Sequence, residues 1–154
     1  MRVHELRTEI HLPRPRDEVF SFFADAFNLQ AITPPTLDFR IVTQPPIEMA
    51  EGTLIDYRLR LRGVPIRWRT RIQRWEPPSL FVDQQVRGPY RLWVHEHRFL
   101  EEDGGTRVLD HVRYAVLGGR FVNALFVRSE VEGIFRFRGE RLLDRFGTSG
   151  DGGR

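Results

Sequence analysis

Two imidazoles and a carboxylate fall close together in this chain. Residues 89–100 alternate with a period of two, which places Trp93, His95, His97 and Phe99 on one face and Leu92, Val94, Glu96 and Arg98 on the other. Asp103-Gly104, just beyond, is a preferred pair for a two-residue type I′ hairpin loop. A second alternating run covers residues 106–116. With Glu102 opposite Gly105, the register pairs Phe99 with Val108, His97 with Asp110, His95 with Val112 and Trp93 with Tyr114. One hairpin face is then aromatic and apolar, interrupted by His95, His97 and Asp110.

Three chemistries suit that triad. The first is a polar anchor in the wall of an apolar cavity, where a few polar groups orient a ligand. A His97–Asp110 hydrogen bond would stabilise the imidazolium and raise the His97 pKa. The same pair in a solid core would be costly without further partners, so the hollow is the preferred reading. The second is acid–base catalysis by His97 and Asp110, of the kind that abstracts a proton beside a carbonyl. No nucleophile accompanies them: Cys and Lys are absent, and Ser21, Ser79, Ser129 and Ser149 sit in no nucleophile motif. The third is a metal site, since His-x-His with a facing carboxylate supplies three ligands. Nothing else in the sequence suggests zinc, so neither a metal nor a cofactor is assigned.

Length and composition narrow the classes. The 154 residues suffice for one domain with its own core, and 40% hydrophobic with 29% charged residues suits a globular chain. No apolar run reaches the roughly 18 residues of a membrane span. Without a secretory h-region or cysteine, the expected compartment is the cytoplasm. All 24 basic residues are arginine, yet the formal charge is only +3. Arginine keeps its proton, so lysine-type Schiff-base chemistry is excluded.

The remaining pattern supplies a scaffold. Residues 3–12 read as a strand with Leu6, Thr8, Ile10 and Leu12 inward. Pro15 opens a helix whose apolar side is Val19, Phe20, Phe22 and Phe23, and a second short helix covers residues 27–32. Strands are expected at 37–43 and 53–62. Gly63-Val64 reads as a type II′ loop, setting Leu59 opposite Trp68 and Tyr57 opposite Thr70. The reverse face of that hairpin carries Arg58, Arg60, Arg62, Arg67, Arg69 and Arg71, with Asp56 opposite Arg71. No aromatics interleave there and the net charge is small, so a solvated face is expected rather than a nucleic-acid interface; docking of an acidic partner is the alternative. In the strand at 80–86, a two-residue loop at Gly88-Pro89 points Val82 and Gln84 inward, whereas a bulge would turn Asp83 and Gln85 inward. Residues 120–146 read as a long amphipathic helix with Gly133 and Gly139 inside it, permitting close approach or leaving open space. The tail 147–154 is expected to be disordered.

This order, strand, two short helices, six strands and a long helix, resembles the START-like or SRPBCC superfamily, the helix-grip fold. Local phrases carry the likeness: Ala31-Ile32-Thr33-Pro34-Pro35, Gly52-Thr53-Leu54-Ile55-Asp56-Tyr57, Trp75-Glu76-Pro77-Pro78, Arg87-Gly88-Pro89-Tyr90, and the histidine hairpin itself. The branch it resembles is that of bacterial polyketide cyclase/dehydrase-like ligand-binding proteins. The resemblance implies an α+β domain over residues 1–146, with a curved antiparallel sheet of about seven strands gripping the C-terminal helix. It further implies a small apolar, aromatic or lipid-like ligand bound between sheet and helix. The expected lining is Tyr57, Leu59, Trp68, Thr70, Gln84, Trp93 and Tyr114. His95, His97 and Asp110 would orient a polar group, and Arg128 and Phe135 would close the space. A cyclase- or dehydratase-type enzyme using the same His–Asp pair is the alternative. No nucleic-acid partner is expected, and the oligomeric state stays between monomer and weak dimer.

Overall fold

The computed structural model describes residues 1–147; the tail expected to be disordered lies, beyond Gly147, outside the described residues. Strand β1 (His4–Leu12) leads through Pro13–Pro15 into helix α1 (Arg16–Ala24). Pro15 caps α1 from outside, and Asp17 and Glu18 sit in its first turn, where the helix dipole favours negative charge. Two 3-10 turns, Ala26–Ile32 and Pro35–Leu37, come before β2 (Arg40–Ile41). Five longer strands follow: β3 (Leu54–Leu61), β4 (Val64–Glu76), β5 (Leu80–Arg87), β6 (Leu92–Glu102) and β7 (Gly105–Ala115). The seven strands form one sheet in the order β1-β7-β6-β5-β4-β3-β2, and every neighbouring pair is antiparallel. The closing helix runs as α2 (Gly119–Val122), a π-helical stretch (Asn123–Val127) and α3 (Arg128–Phe146). The expected curved sheet gripping a long C-terminal helix is therefore present.

The β6–β7 register is the one that Asp103-Gly104 dictates: Glu102 pairs with Gly105, His97 with Asp110 and Trp93 with Tyr114. Both loop residues have positive φ, 51° and 73°, as a type I′ turn requires. The β3–β4 hairpin corrects the sequence reading. Its loop is Arg62-Gly63, again with φ positive at both positions, rather than a type II′ turn at Gly63-Val64. Tyr57 therefore faces Trp68, and Asp56 faces Arg69. A slip of two residues keeps every side chain on its expected face. Asp56 accepts from Arg69 Nε at 2.8 Å and Nη2 at 3.2 Å on the outer face. Arg62 leaves that face: it donates to Phe126 O at 3.3 Å and pairs with Glu130 at 3.4 Å. The strand expected at 37–43 shrinks to Arg40–Ile41, because Pro35–Leu37 turns as 3-10 helix and Asp38 takes a left-handed φ of 43°.

In β5 the parity is reversed. Asp83 pairs with His95 and Gln84 with Val94, one residue away from a Gly88-Pro89 two-residue loop. Gln85 closes the connection instead: its Nε2 donates to Tyr90 O at 2.8 Å and its Oε1 accepts from Tyr90 N at 3.1 Å. Phe81, Asp83 and Gln85 thus point inward. Leu80 and Val82, expected in the core, bury on the outer side against Val94 and Leu92. On β4 a bulge at Gln73 shifts the register between Ile72 and Arg74, turning Trp75 inward onto Phe20 and Phe81.

The main core sits at one end, where α1, β6, β7 and the end of α3 meet in Leu12, Val19, Phe20, Phe99, Val108, Leu142 and Phe146. Leu142 is 0% exposed there. Leu142→Ala should lower the unfolding free energy by about 2–5 kcal/mol in denaturant titration, since it removes buried carbon and leaves a cavity. A Cβ at Gly133 or Gly139 would meet nothing within 4 Å. Gly133→Ala and Gly139→Ala should therefore each raise stability, by up to about 1 kcal/mol, by restricting the unfolded chain and favouring helix.

Candidate functional site

A cavity of about 180 Å³ lies between the inner face of β3–β6 and helix α3, roofed by the 3-10 turn Ala26–Ile32. Its lining is mainly hydrophobic and aromatic. Tyr57, Leu59, Trp68 and Thr70 come from the β3–β4 hairpin, Trp93, His95 and His97 from β6, and Phe135 from α3, all as expected from the sequence. Trp68 and Trp93 pack edge to face at 5.4 Å, and Trp68 Nε1 donates to Thr70 Oγ1 at 3.1 Å. Burial pushes the Tyr57 phenol above its usual pKa, so it stays a neutral hydroxyl.

Four expected residues do not line the space. Gln84 faces outward with the reversed parity of β5, and Asp83 takes its place. Tyr114 is 1% exposed but belongs to the solid packing with Val112, Val131 and Phe135, and its hydroxyl donates to Asn123 Oδ1 at 2.7 Å. Arg128 lies at the surface, donating to Glu5 O at 3.3 Å. Asp110 stands behind the wall, reached through its partners.

The polar wall differs from the expected His97–Asp110 bond. Those residues are opposite in register, but Asp110 Oδ1 accepts from His95 Nε2 at 2.7 Å, while His97 Nε2 donates to Asp83 Oδ2 at 2.6 Å. Arg138, from α3, supplies the reason. Its Nη2 donates to Asp110 Oδ1 and to His97 Nδ1, each at 3.2 Å. A guanidinium has no lone pair to offer, so His97 Nδ1 must be the acceptor and Nε2 the protonated nitrogen. The His97 ring stacks between Phe81, at 3.9 Å, and His95, at 3.6 Å.

Burial holds the His97 pKa well below its usual value, reinforced by His95 and Arg138, so the expected rise does not occur. Burial raises Asp83, against the pull of His95 and Arg138. For Asp110, burial pushes upward, but the Arg138 charge and the His95 hydrogen bond outweigh it and hold the carboxyl well below the usual range.

Asp83 and Arg138 were not identified from the sequence as site residues. For Arg138 a signal existed: Val131, Phe135, Arg138 and Leu142 recur at helical spacing, and the arginine stands in an otherwise apolar stripe. It is only 6% exposed. Arg138→Met should cost about 3–5 kcal/mol in denaturant titration by leaving Asp110 buried without its charge partner. Adding Asp110→Asn should recover part of that loss, giving a non-additive double-mutant cycle.

The sequence profile of the family described as polyketide cyclase / dehydrase and lipid transport matches residues 12–142. No curated protein sequence matches this one at a significant level. Among solved structures, protein CV1439 from Chromobacterium violaceum superposes with a TM-score of 0.73 at 10% identity, over 95% of this chain and 99% of that one. Major latex-like protein 151 from Panax ginseng gives 0.68 at 10%, over 94% and 97%. The ZhuI aromatase/cyclase from Streptomyces sp. R1128 gives 0.64 at 17%, over 92% and 95%. At such identities the likeness concerns the fold. No described helix is long and apolar enough to cross a membrane. With the profile covering most of the chain and the sheet gripping its closing helix, this protein belongs to the polyketide cyclase / dehydrase and lipid transport family.

Proposed function

We propose that this protein binds a small, largely apolar ring compound carrying one oxygen acceptor, in the cavity between sheet and closing helix. The observation that carries the reading is an apolar hollow with a single charged wall. A solid core would have no use for Asp83, His95, His97 and Arg138 together at its edge. The size of the space limits the occupant. A dry cavity of about 150 Å³ accommodates benzene, so 180 Å³ suits one ring with substituents rather than an extended lipid. Its polarity limits the occupant further. Arg138 lines the cavity, and its buried Nε has no hydrogen-bond partner among the described residues. A neutral carbonyl or phenol oxygen suits a wall in which this guanidinium stands beside Asp83 and His97.

The alternative is a cyclase- or dehydratase-type enzyme. It is favoured by the Asp83–His97 hydrogen bond at the cavity wall, and the acid–base pair would then be Asp83–His97 rather than His97–Asp110. Asp83→Asn separates the two: an enzyme loses turnover by orders of magnitude while still binding, whereas a carrier shows only altered affinity.

Native mass spectrometry of freshly purified protein should reveal a co-purifying small molecule released on denaturation. Trp68 and Trp93 also report occupancy. Acetophenone should quench tryptophan fluorescence to saturation at one molecule per chain, with higher affinity than ethylbenzene, which lacks the oxygen. Leu59→Trp, which fills the cavity, should weaken that binding at least about tenfold, or by about 1.4 kcal/mol. Unchanged binding in a folded Leu59→Trp variant would overturn the cavity reading.

A further inference from the structure

Asp83, His95 and His97 each offer one ligand atom, and the three atoms lie within 4.8 Å of one another. The strand pairing brings them together. Asp83 is the cross-strand partner of His95, and His97 is two residues further along the same face of β6. Behind them stands Asp110. It accepts from His95 Nε2 at 2.7 Å, so in the neutral ring the lone pair is on Nδ1, 3.9 Å from Asp83 Oδ2. The same carboxylate oxygen lies 3.5 Å from His97 Nδ1. A carboxylate behind an imidazole is the arrangement that fixes the ring and raises its basicity toward a metal ion.

We propose that Asp83, His95 and His97 hold one divalent transition-metal ion in the cavity wall, with its remaining coordination positions open to the cavity. Asp110 is the outer group that orients both imidazoles. The sequence suggested Asp110 as the third ligand; the reversed parity of β5 gives that place to Asp83.

Distances and charge agree with this assignment. Ligand atoms bonded at about 2.0–2.2 Å to a tetrahedral ion stand about 3.3 Å apart. The separations from Asp83 Oδ2, 2.6 Å to His97 Nε2 and 3.9 Å to His95 Nδ1, fall on either side of that value. Side-chain shifts smaller than about 1 Å would equalise them. Arg138 is cationic but already paired with Asp110 at 3.2 Å. Two carboxylates and one guanidinium surround the place, so a dication there meets more carboxylate than guanidinium charge. Coordination of His97 through Nε2 moves its proton to Nδ1, 3.5 Å from Asp110 Oδ1, and requires Arg138 Nη2, which donates to Nδ1 at 3.2 Å without the ion, to swing off that nitrogen. Arg138 Nη2 then keeps Asp110 alone as its acceptor.

Two nitrogens and one oxygen, without sulfur, suit Zn²⁺, Fe²⁺ or Co²⁺ better than Ca²⁺, Mg²⁺ or Cu⁺. An oxygen of a bound ring compound could complete the coordination. The ion is held by protein groups alone, so the site stands whether or not an organic ligand fills the cavity.

Untagged protein, stripped with a chelator and titrated with Co²⁺, tests the site directly. Visible d–d bands should grow to saturation at one ion per chain, and Tm should rise with them. His97→Gln and Asp83→Asn should each abolish the bands, and Asp110→Asn should weaken binding about 10- to 100-fold. Glu96→Gln, on the outer face between the two histidines, should leave them unchanged. Circular dichroism checks that each variant folds, and Asp83→Ser replaces any ligand variant that does not. The proposal is overturned if the stripped wild-type protein shows neither bands nor a Tm shift, or if the bands persist in a folded ligand variant, which would place the ion on surface histidines. Either result leaves the acetophenone titration of the cavity intact.

Discussion

A guanidinium taken out of water costs several kcal/mol unless its charge and its N–H groups are met. Arg138 is such a group, and the organisation of the site follows from meeting it. It descends from the closing helix with almost no exposed surface and finds Asp110 on β7 and His97 on β6. Asp110, drawn to that charge, accepts from His95 instead of the residue directly opposite it. His97, its Nδ1 engaged by the arginine, presents Nε2–H to Asp83 on β5. One cation on the helix thereby sets the partners and the tautomers of side chains on three strands.

The cavity results from uneven filling. Where α1 and the end of α3 meet β6 and β7, phenylalanines and aliphatic side chains pack together as the main core. Beside the β3–β4 hairpin the sheet stands away from the helix, and Tyr57, Trp68 and Trp93 line a space instead of closing it. Aromatic rings suit that task because they cover a large area with few rotatable bonds. Two irregularities tune the boundary between filled and empty regions. The bulge at Gln73 turns Trp75 into the filled part, and the Gln85 clamp in the β5–β6 connection turns Phe81 and Asp83 toward the space.

Such a chamber, apolar for most of its wall and charged at one end, agrees with the broad range of a family described by both cyclase/dehydrase chemistry and lipid transport. The fold leaves that range open, since likeness at 10–17% identity extends to proteins as different as a plant latex-like protein and a bacterial aromatase/cyclase. What distinguishes this chain within that range is local chemistry: a cavity of about 180 Å³, a buried guanidinium, and a carboxylate beside two imidazoles.

The sequence by itself determined the elements, their order and the β6–β7 register. Alternation and helical spacing are local properties, and Asp103-Gly104 leaves the chain little choice of turn. It also determined the faces of β3 and β4 despite a misplaced loop, because a slip of two residues preserves parity. Only the tertiary structure decided the parity of β5. That depended on the odd number of residues, nine, between the last pair Gln84–Val94, a connection closed by the Gln85 side chain, an interaction that no period-two pattern encodes. Only the tertiary structure decided the pairing within the site as well. The partners of His95 and His97 were chosen by a charge 28 residues beyond Asp110, brought to them when the helix closed over the sheet. Local propensity writes strands and helices into a sequence, but which buried charge finds which partner is settled by packing.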